Sequence, residues 1–187
     1  MFEERLRLIT ENKEYFEQFI AHASNSIYQA LTSNKKLLFC GNGGSAAESQ
    51  HMAAEYAATL DHKRPRDGMA AISLTTDTSF ITAWSNDFGF ETIFSRQISV
   101  LAQKGDVLIC YSTSGNSKNI VNALNEALKK EMDYLIFSGF NENSDLAKIS
   151  SKKNILHVAS DKTPLIQEMH TMLGHDICYK VEKLMDS

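Results

Sequence analysis

Apolar residues recur at spacings of three and four through residues 2–32, from Phe2 and Leu6 to Ile27 and Leu31. This is the period of a helix that packs one face against a core, so the pattern predicts one long helix, or two in sequence. The chain then alternates short apolar runs with longer segments of helical period. These predict strands at residues 37–40, 69–74, 106–111, 134–137 and 155–158, and helices at residues 46–60, 79–103 (broken near 86–89), 118–130 and 164–185.

The order of these elements predicts an α/β fold. The expected strands are short and almost continuously apolar, which indicates a parallel sheet with helices on both faces. The prediction is therefore a three-layer sandwich with a central parallel sheet, preceded by a long N-terminal helical segment. With 187 residues the chain is long enough for one core and too short for a second of ordinary size. A single domain over residues 1–187 is expected.

Composition narrows the classes of function. Apolar residues make up 43% of the chain and charged residues 22%, as in an ordinary soluble globular protein. The formal net charge of -4 gives no broad basic field, so neither nucleic acid nor membrane is expected as a partner. The first residues lack the apolar stretch of a signal peptide, which predicts a cytoplasmic location. Cys40, Cys110 and Cys178 lie in apolar segments and are expected to be buried thiols.

Two polar loops follow predicted strands and precede predicted helices. In the first, Ser112-Thr-Ser-Gly-Asn-Ser117, hydroxyls and helix N–H groups together favour an anion, which predicts phosphate binding. The same residues also suit a turn whose hydroxyls only cap the helix. The second, Gly41-Asn-Gly-Gly-Ser45, is neither a GxGxxG motif nor a Walker loop, which disfavours dinucleotide and ATP. Two such loops at strand ends predict a shared ligand crevice.

Six short segments of the chain form a recognisable series. They are Cys40–Ser45, His51–Glu55, Asn86–Phe90 with Phe94–Arg96, Gly105–Leu108, Ser112–Ser117 and Ile166–His170. In this order and at similar spacing the series resembles the phosphoheptose isomerases of the sugar isomerase (SIS) family, over nearly the whole chain. The resemblance implies the flavodoxin-like SIS fold and a sugar-phosphate isomerase activity.

The resemblance also implies a role for each matching position. The substrate phosphate would be held by Ser112, Thr113, Ser114 and Ser117. The rest of the substrate would be bound by Asn42, Gly43, Gly44, Glu55, Asn86, Asp87 and Gln167. A zinc ion would be bound by His51, Glu55, Gln167 and His175, with Glu55 and His175 as the catalytic acid/base pair. Thr59 stands where relatives often carry Arg, which leaves the contacts to the sugar hydroxyls open.

These residue types suit the isomerisation of a ketose to an aldose. Moving a proton between C1 and C2 requires a base, an acid and a group that polarises the oxygens. His51 and Glu55 are four residues apart on one predicted helix and share a face, and nitrogen-rich ligation favours zinc. By spacing alone this pair is more simply a solvated contact, and only the resemblance favours a metal site. Glu168 and His170 are expected at the periphery of the site or on the surface.

The resemblance implies that the substrate is sedoheptulose 7-phosphate and that the product serves a surface polysaccharide. Two alternatives stay open: an isomerase of another sugar phosphate, and a non-catalytic SIS protein that binds a phosphosugar or a replication-initiator partner. A homo-oligomer, as a tetramer with its sites between subunits, is also expected. The N-terminal segment, residues 1–32, carries Phe2, Phe16, Phe19 and Ile20, which is more apolar surface than one flank of a small sheet buries.

Overall fold

The computed structural model describes residues 1–186, which form a five-stranded parallel sheet with helices packed on both faces. The strands are β1 (Leu37–Gly41), β2 (Ala71–Ser73), β3 (Val107–Ser112), β4 (Asp133–Gly139) and β5 (Ile155–Val158). The α-helices are α1 (Phe2–Glu11), α2 (Lys13–Thr32), α3 (Gly44–Ala57), α4 (Thr78–Phe88), α5 (Ile93–Leu101), α6 (Lys118–Lys129), α7 (Asp145–Ile149) and α8 (Thr163–Met185). Short 3-10 turns cover Phe90–Thr92 and Lys152–Asn154.

The sheet brings the ends of its central strands to one edge. The strand order is β2-β1-β3-β4-β5, and every neighbouring pair is parallel. Gly41 at the end of β1 pairs with Tyr111 of β3, and Ser112 pairs with Ser138 of β4. The loops that follow these three strands therefore emerge side by side. This carboxyl edge is where open α/β sheets bind their ligands.

Successive residues of the central strands β1, β3 and β4 enter two separate hydrophobic clusters, one on each face of the sheet. Phe39 and Ile109 pack with side chains of α2, α3 and α8. Leu38 and Leu108 pack with side chains of α5 and α6. Because both faces of these central strands are buried, their sequences are almost continuously apolar, as expected for a sheet between two helical layers. The predicted three-layer α/β fold is confirmed.

The elements lie close to their predicted positions, with a few differences. The N-terminal segment is two helices, which meet at Asn12. The interruption predicted near residues 86–89 falls at Gly89, whose φ of 91° ends α4. The strand predicted at 69–74 covers only residues 71–73, and the five-residue helix α7 carried no periodic signal. Within residues 1–186 the helices include none that is both long enough and apolar enough to cross a bilayer.

The apolar residues of the N-terminal segment require a correction. Phe16 and Phe19 are 3% and 4% exposed, because α2 packs against α8 and the sheet within the same chain. The expectation that these two side chains exceed what one flank can bury was therefore wrong. Phe2 on α1 does remain 73% exposed. A second exposed apolar surface lies on α4, where none of the described residues is buried, and Phe88 is 65% exposed.

Candidate active site and metal centre

Helices α3 and α8 build the centre of the site. They lie side by side and run in the same direction, since Gly44 faces Gln167 near their starts and His51 faces His175 further along. α3 begins at Gly44, directly after the glycine-rich turn that ends β1. Side chains on the facing sides of the two helices are therefore brought together turn by turn.

His51, Glu55 and His175 form a cluster in which one ligand atom from each lies within 4.8 Å of the other two. The Nε2 atoms of His51 and His175 are 2.7 Å apart, and His51 Nδ1 is 3.6 Å from Glu55 Oε1. Two neutral imidazoles at this distance need one donor and one acceptor nitrogen facing each other. The side chain of His51 is 43% exposed and that of Glu55 is 19% exposed, so solvent reaches the cluster.

The donor set of this cluster fits a zinc ion. Two imidazole nitrogens and a carboxylate oxygen are ligands that catalytic zinc sites use, with a further position for water or substrate. The predicted fourth ligand, Gln167, lies two turns before His175 on α8. Its amide covers Gly44 so closely that a Cβ at Gly44 would overlap it. The structure thus brings three of the four predicted ligands together and places the fourth beside the glycine-rich turn.

An arginine from the loop after α3 holds the end of the helix that carries Glu55. Arg66 donates hydrogen bonds to the backbone oxygens of Glu55 at 2.9 Å and Tyr56 at 3.0 Å. Its Nε also donates to Glu182 Oε1 of α8 at 2.8 Å, and this ion pair is almost buried. A cation at the carboxyl end of a helix satisfies its last carbonyl groups and complements the helix dipole. The position of Glu55 is therefore fixed from both helices.

The loop at residues 112–117, here called the phosphate loop, leads from β3 into α6. Ser117 occupies the N-cap position of α6 but makes no side-chain hydrogen bond to the backbone of that helix in the described structure. Its Oγ lies instead 3.4 Å from Ser112 Oγ. The first N–H groups of a helix have no partner within the helix. This arrangement favours an anion site over a turn whose hydroxyls only cap α6.

The phosphate loop is braced by the start of α7. Gly115 has a φ of 68°, and a Cβ at this position would overlap the side chain of Ser144. The carbonyl oxygen of Gly115 accepts a hydrogen bond from the backbone N–H of Leu146 at 3.0 Å. A glycine is therefore required here both for its backbone conformation and for the close approach.

The glycine-rich turn at residues 41–45, here called the glycine loop, is tied by a pair of amides to the first turn of α6, which directly follows the phosphate loop. Asn42 Nδ2 donates to Asn119 Oδ1 at 2.9 Å, and Asn119 Nδ2 donates back to Asn42 Oδ1 at 2.8 Å. Asn119 lies in the first turn of α6 and is 3% exposed. The side-chain amide of Asn42, predicted to line the sugar, thus has a protein partner.

Comparison with known proteins identifies the family of this chain. The family model of the SIS domain matches residues 2–137. A phosphoheptose isomerase of Nitratiruptor sp. is 40% identical over 98% of this chain and 99% of its own length. The chain belongs to the SIS family and, within it, to the phosphoheptose isomerases. It is thus an enzyme of the isomerase class, and the resemblance seen in its motifs is confirmed.

Other relatives in the phosphoheptose isomerase family support the assignment. The enzyme of Laribacter hongkongensis is 41% identical over 89% of this chain and 84% of its own length. The solved phosphoheptose isomerase of Neisseria gonorrhoeae is 36% identical with a TM-score of 0.88, covering 97% of this chain and 95% of that one. That of Francisella tularensis is 32% identical with a TM-score of 0.90, covering 97% and 94%. The fold is thus shared along almost the entire chain.

Two predicted substrate residues, Asn86 and Asp87, are not part of the assembly of α3, α8 and the two loops. Both are exposed at the end of α4, where Asn86 Nδ2 donates to Asp87 Oδ1 at 2.8 Å. α4 packs on the 3-10 turn that follows it and on α5. Their role in binding substrate stays a prediction.

The residues predicted at the periphery of the site have different environments. Glu168 forms an ion pair with Arg5 of α1 and is partly exposed. His170 is not a surface residue, since it is 1% exposed between the rings of Tyr111 and Phe137. Burial lowers the pKa of His170 to about 4.

Several residues of the site were missed from the sequence. Glu48 precedes His51 by three residues on the same face of α3, so helical spacing could have identified it. Thr171, four residues from both Gln167 and His175 on α8, could have been found in the same way. Asn119 and Arg66 carried no such signal, because their partners are distant in the chain or belong to the backbone.

Proposed function

We propose that the chain is an aldose–ketose isomerase that converts sedoheptulose 7-phosphate into D-glycero-D-manno-heptose 7-phosphate. The cluster of His51, Glu55 and His175 carries the proposal, since it joins a carboxylate to two imidazoles on helices that adjoin the glycine loop. The names of the relatives support a heptose phosphate as substrate. The reaction would be the first step towards nucleotide-activated heptose for a surface polysaccharide, in the cytoplasm.

We assign the proton transfers to Glu55 and His175. The carboxylate of Glu55 takes a proton from C1 of the ketose and returns it to C2, which passes the substrate through an enediol. The imidazole of His175 gives a proton to O2 and removes one from O1. Each side chain therefore ends the cycle in the protonation state in which it began, and no external reductant is needed.

A zinc ion completes the proposed site. The residues that would hold it are His51, Glu55, Gln167 and His175. Bound there, zinc would polarise the oxygens on C1 and C2 as a Lewis acid. Glu55 has two carboxylate oxygens, so ligation by one leaves the other for proton transfer.

The two loops bind the rest of the substrate in this proposal. The phosphate is held by Ser112, Thr113, Ser114 and Ser117 at the start of α6, where N–H groups and the helix dipole favour an anion. The remaining substrate contacts come from Asn42, Gly43, Gly44, Glu55, Asn86, Asp87 and Gln167. For Asn42 the contact is assigned to the backbone, because its side-chain amide is paired with Asn119.

The function is tested by incubating the purified protein with sedoheptulose 7-phosphate and following the aldose product by proton NMR. Five- and six-carbon ketose phosphates are assayed in parallel, since an isomerase of another sugar phosphate is the alternative. Glu55→Gln is expected to be inactive, whereas Glu131→Gln, in the exposed turn between α6 and β4, keeps the wild-type rate. Faster turnover of a five- or six-carbon ketose phosphate than of sedoheptulose 7-phosphate would overturn the proposed substrate. Absence of turnover with every ketose phosphate would overturn it as well.

We further propose that residues 1–187 form one domain that assembles as a homotetramer with its sites between subunits. The exposed Phe2 of α1 and Phe88 of α4 support this, since exposed apolar surfaces of this kind mark interfaces. A role for residues 1–32 would rest on α1, because α2 is packed in the core. Light scattering should report a mass near four chains, and Phe2→Glu and Phe88→Glu should each lower it. A fully active wild-type monomer would refute the assembly.

A further inference from the structure

A polar contact joins α3 and α8 at a point between Gln167 and His175, the two proposed metal ligands on α8. Thr171 Oγ1 donates to Glu48 Oε2 at 2.6 Å, and lies 3.2 Å from Gln167 O of its own helix. Thr171 is four residues after Gln167 and four before His175, so the three share one face of α8. Glu48 stands three residues before His51 on α3. The contact is thus one turn from Gln167 on one side and one turn from His175 on the other.

The second oxygen of this carboxylate is in an unusual position. Glu48 Oε1 is buried and has no hydrogen-bond partner among residues 1–186. Gly174 of α8 lies beside it: a Cβ there would be in ordinary contact with Oε1 at 3.6 Å and would crowd Met52 Sδ at 3.1 Å. Burial raises the pKa of Glu48, while its bond to Thr171 and the nearby His51 and His175 lower it.

A carboxylate with one buried, unpaired oxygen costs stability. Taking a carboxyl group out of water is unfavourable when some of its hydrogen-bonding capacity is left unused. An apolar side chain between the two helices would have a lower free-energy cost. A requirement of the adjoining site explains its presence. Ligand side chains are commonly held by further hydrogen-bonded groups, whose loss typically costs roughly 10- to 100-fold in metal affinity.

We propose that Glu48 and Thr171 are a positioning pair that holds α8 against α3 so that Gln167 and His175 meet His51 and Glu55. The inference rests on the proposed metal centre. Neither residue touches the reacting atoms in this assignment. Their hydrogen bond sets the register of the two helices, and with it the spacing of the ligand atoms.

The test measures the affinity of the full-length protein for Co²⁺, by its visible absorption, and for Zn²⁺, by competition with a chromogenic chelator. Thr171→Val keeps the shape of the side chain and removes the hydroxyl, so it should weaken binding by about 10-fold or more. Thr171→Ser keeps the hydroxyl and should stay within about twofold of wild type. Glu48→Ala should match Thr171→Val, and the double variant should lose no more than either single one, because the two residues act as a unit.

Ser24→Ala is the matched control. The Ser24 hydroxyl is also buried and contacts α8, at 3.5 Å from Ile177 O, but from the side of α2. It should leave metal affinity unchanged, with folding of every variant verified by circular dichroism. Wild-type affinity in Thr171→Val, an equal loss in Thr171→Ser, or additive losses in the double variant would overturn the positioning role. If the wild-type protein itself binds neither metal, the proposed metal centre fails and the inference fails with it.

Discussion

The buried imidazole of His170 should make the stability of this protein depend on pH. His170 lies between Tyr111 and Phe137, with ring centroids 5.9 Å and 5.7 Å away, and its Nε2 is 3.4 Å from Ser138 O. Burial disfavours the charged imidazolium and lowers the pKa from 6.5 to about 4, against a smaller opposing effect of the contact with Ser138. The folded protein therefore keeps this side chain neutral where the unfolded chain takes up a proton.

The size of the effect follows from the two pKa values. At pH values between 6.5 and about 4 the unfolded state binds one proton that the folded state does not. The free energy of unfolding consequently falls as the pH falls through this window, and the contribution is complete above the upper value. Each pKa unit corresponds to about 1.4 kcal/mol, so the loss across the window is about 3 kcal/mol.

Urea unfolding at fixed protein concentration, followed by circular dichroism at several pH values from 7 to 4, measures this contribution. His170→Phe has no imidazole to protonate, so its free energy of unfolding should not fall in this window. Relative to wild type, the free energy of unfolding of the variant should therefore increase by about 3 kcal/mol as the pH falls. His62→Gln, in the exposed loop after α3, is the matched control and should follow the wild-type curve. A difference between wild type and His170→Phe that stays constant with pH would refute the reasoning.

Three further predictions concern the proposed site. Glu55→Gln should lower kcat by about 10²- to 10⁴-fold while the fold is kept, because an amide cannot act as a base, and a near-wild-type rate would contradict the assignment. Ser112→Ala and Ser117→Ala should each raise KM for the phosphosugar by about 5- to 30-fold, corresponding to about 1–2 kcal/mol per hydrogen bond. An unchanged KM would mean that these hydroxyls are structural only. Dialysis against a chelator should abolish activity and added Zn²⁺ should restore it, whereas full activity after dialysis would exclude the metal centre.

The layers of the fold could be predicted because burial leaves a periodic trace in the sequence. β1 and β3 are buried at every position and apolar up to the glycine and the serine that end them, since Leu38 faces one helical layer and Phe39 the other. Short elements leave no such trace. For this reason α7 was not predicted, and the strand predicted for β2 was longer than the observed one. The prediction that the apolar residues of α2 exceed what the chain itself can bury was wrong for another reason. Periodicity shows that a helix has an apolar face but not which partner covers it, and here α8 does.

The candidate site shows the same limit. His51 and Glu55 could be paired from the sequence because four residues separate them on one helix. Their approach to His175 depends on the side-by-side packing of α3 and α8, which no local pattern reveals. Asn119 is 77 residues from its partner Asn42, and Thr171 is 123 residues from Glu48. Contacts at such separations are set by strand order, so the groups that support a site are harder to foresee than its ligands.

The paired amides of Asn42 and Asn119 bear on how the two loops work together. Each amide donates one hydrogen bond to the other and accepts one from it, and Asn119 is almost fully buried while Asn42 is partly buried. Satisfied buried polar pairs hold the elements that carry them in one arrangement. The separation of the glycine loop from the phosphate loop is therefore set by the protein before any ligand arrives. If the phosphate is bound as proposed, the substrate must span this fixed distance to reach the glycine loop, and the site would then distinguish sugar phosphates of different chain length.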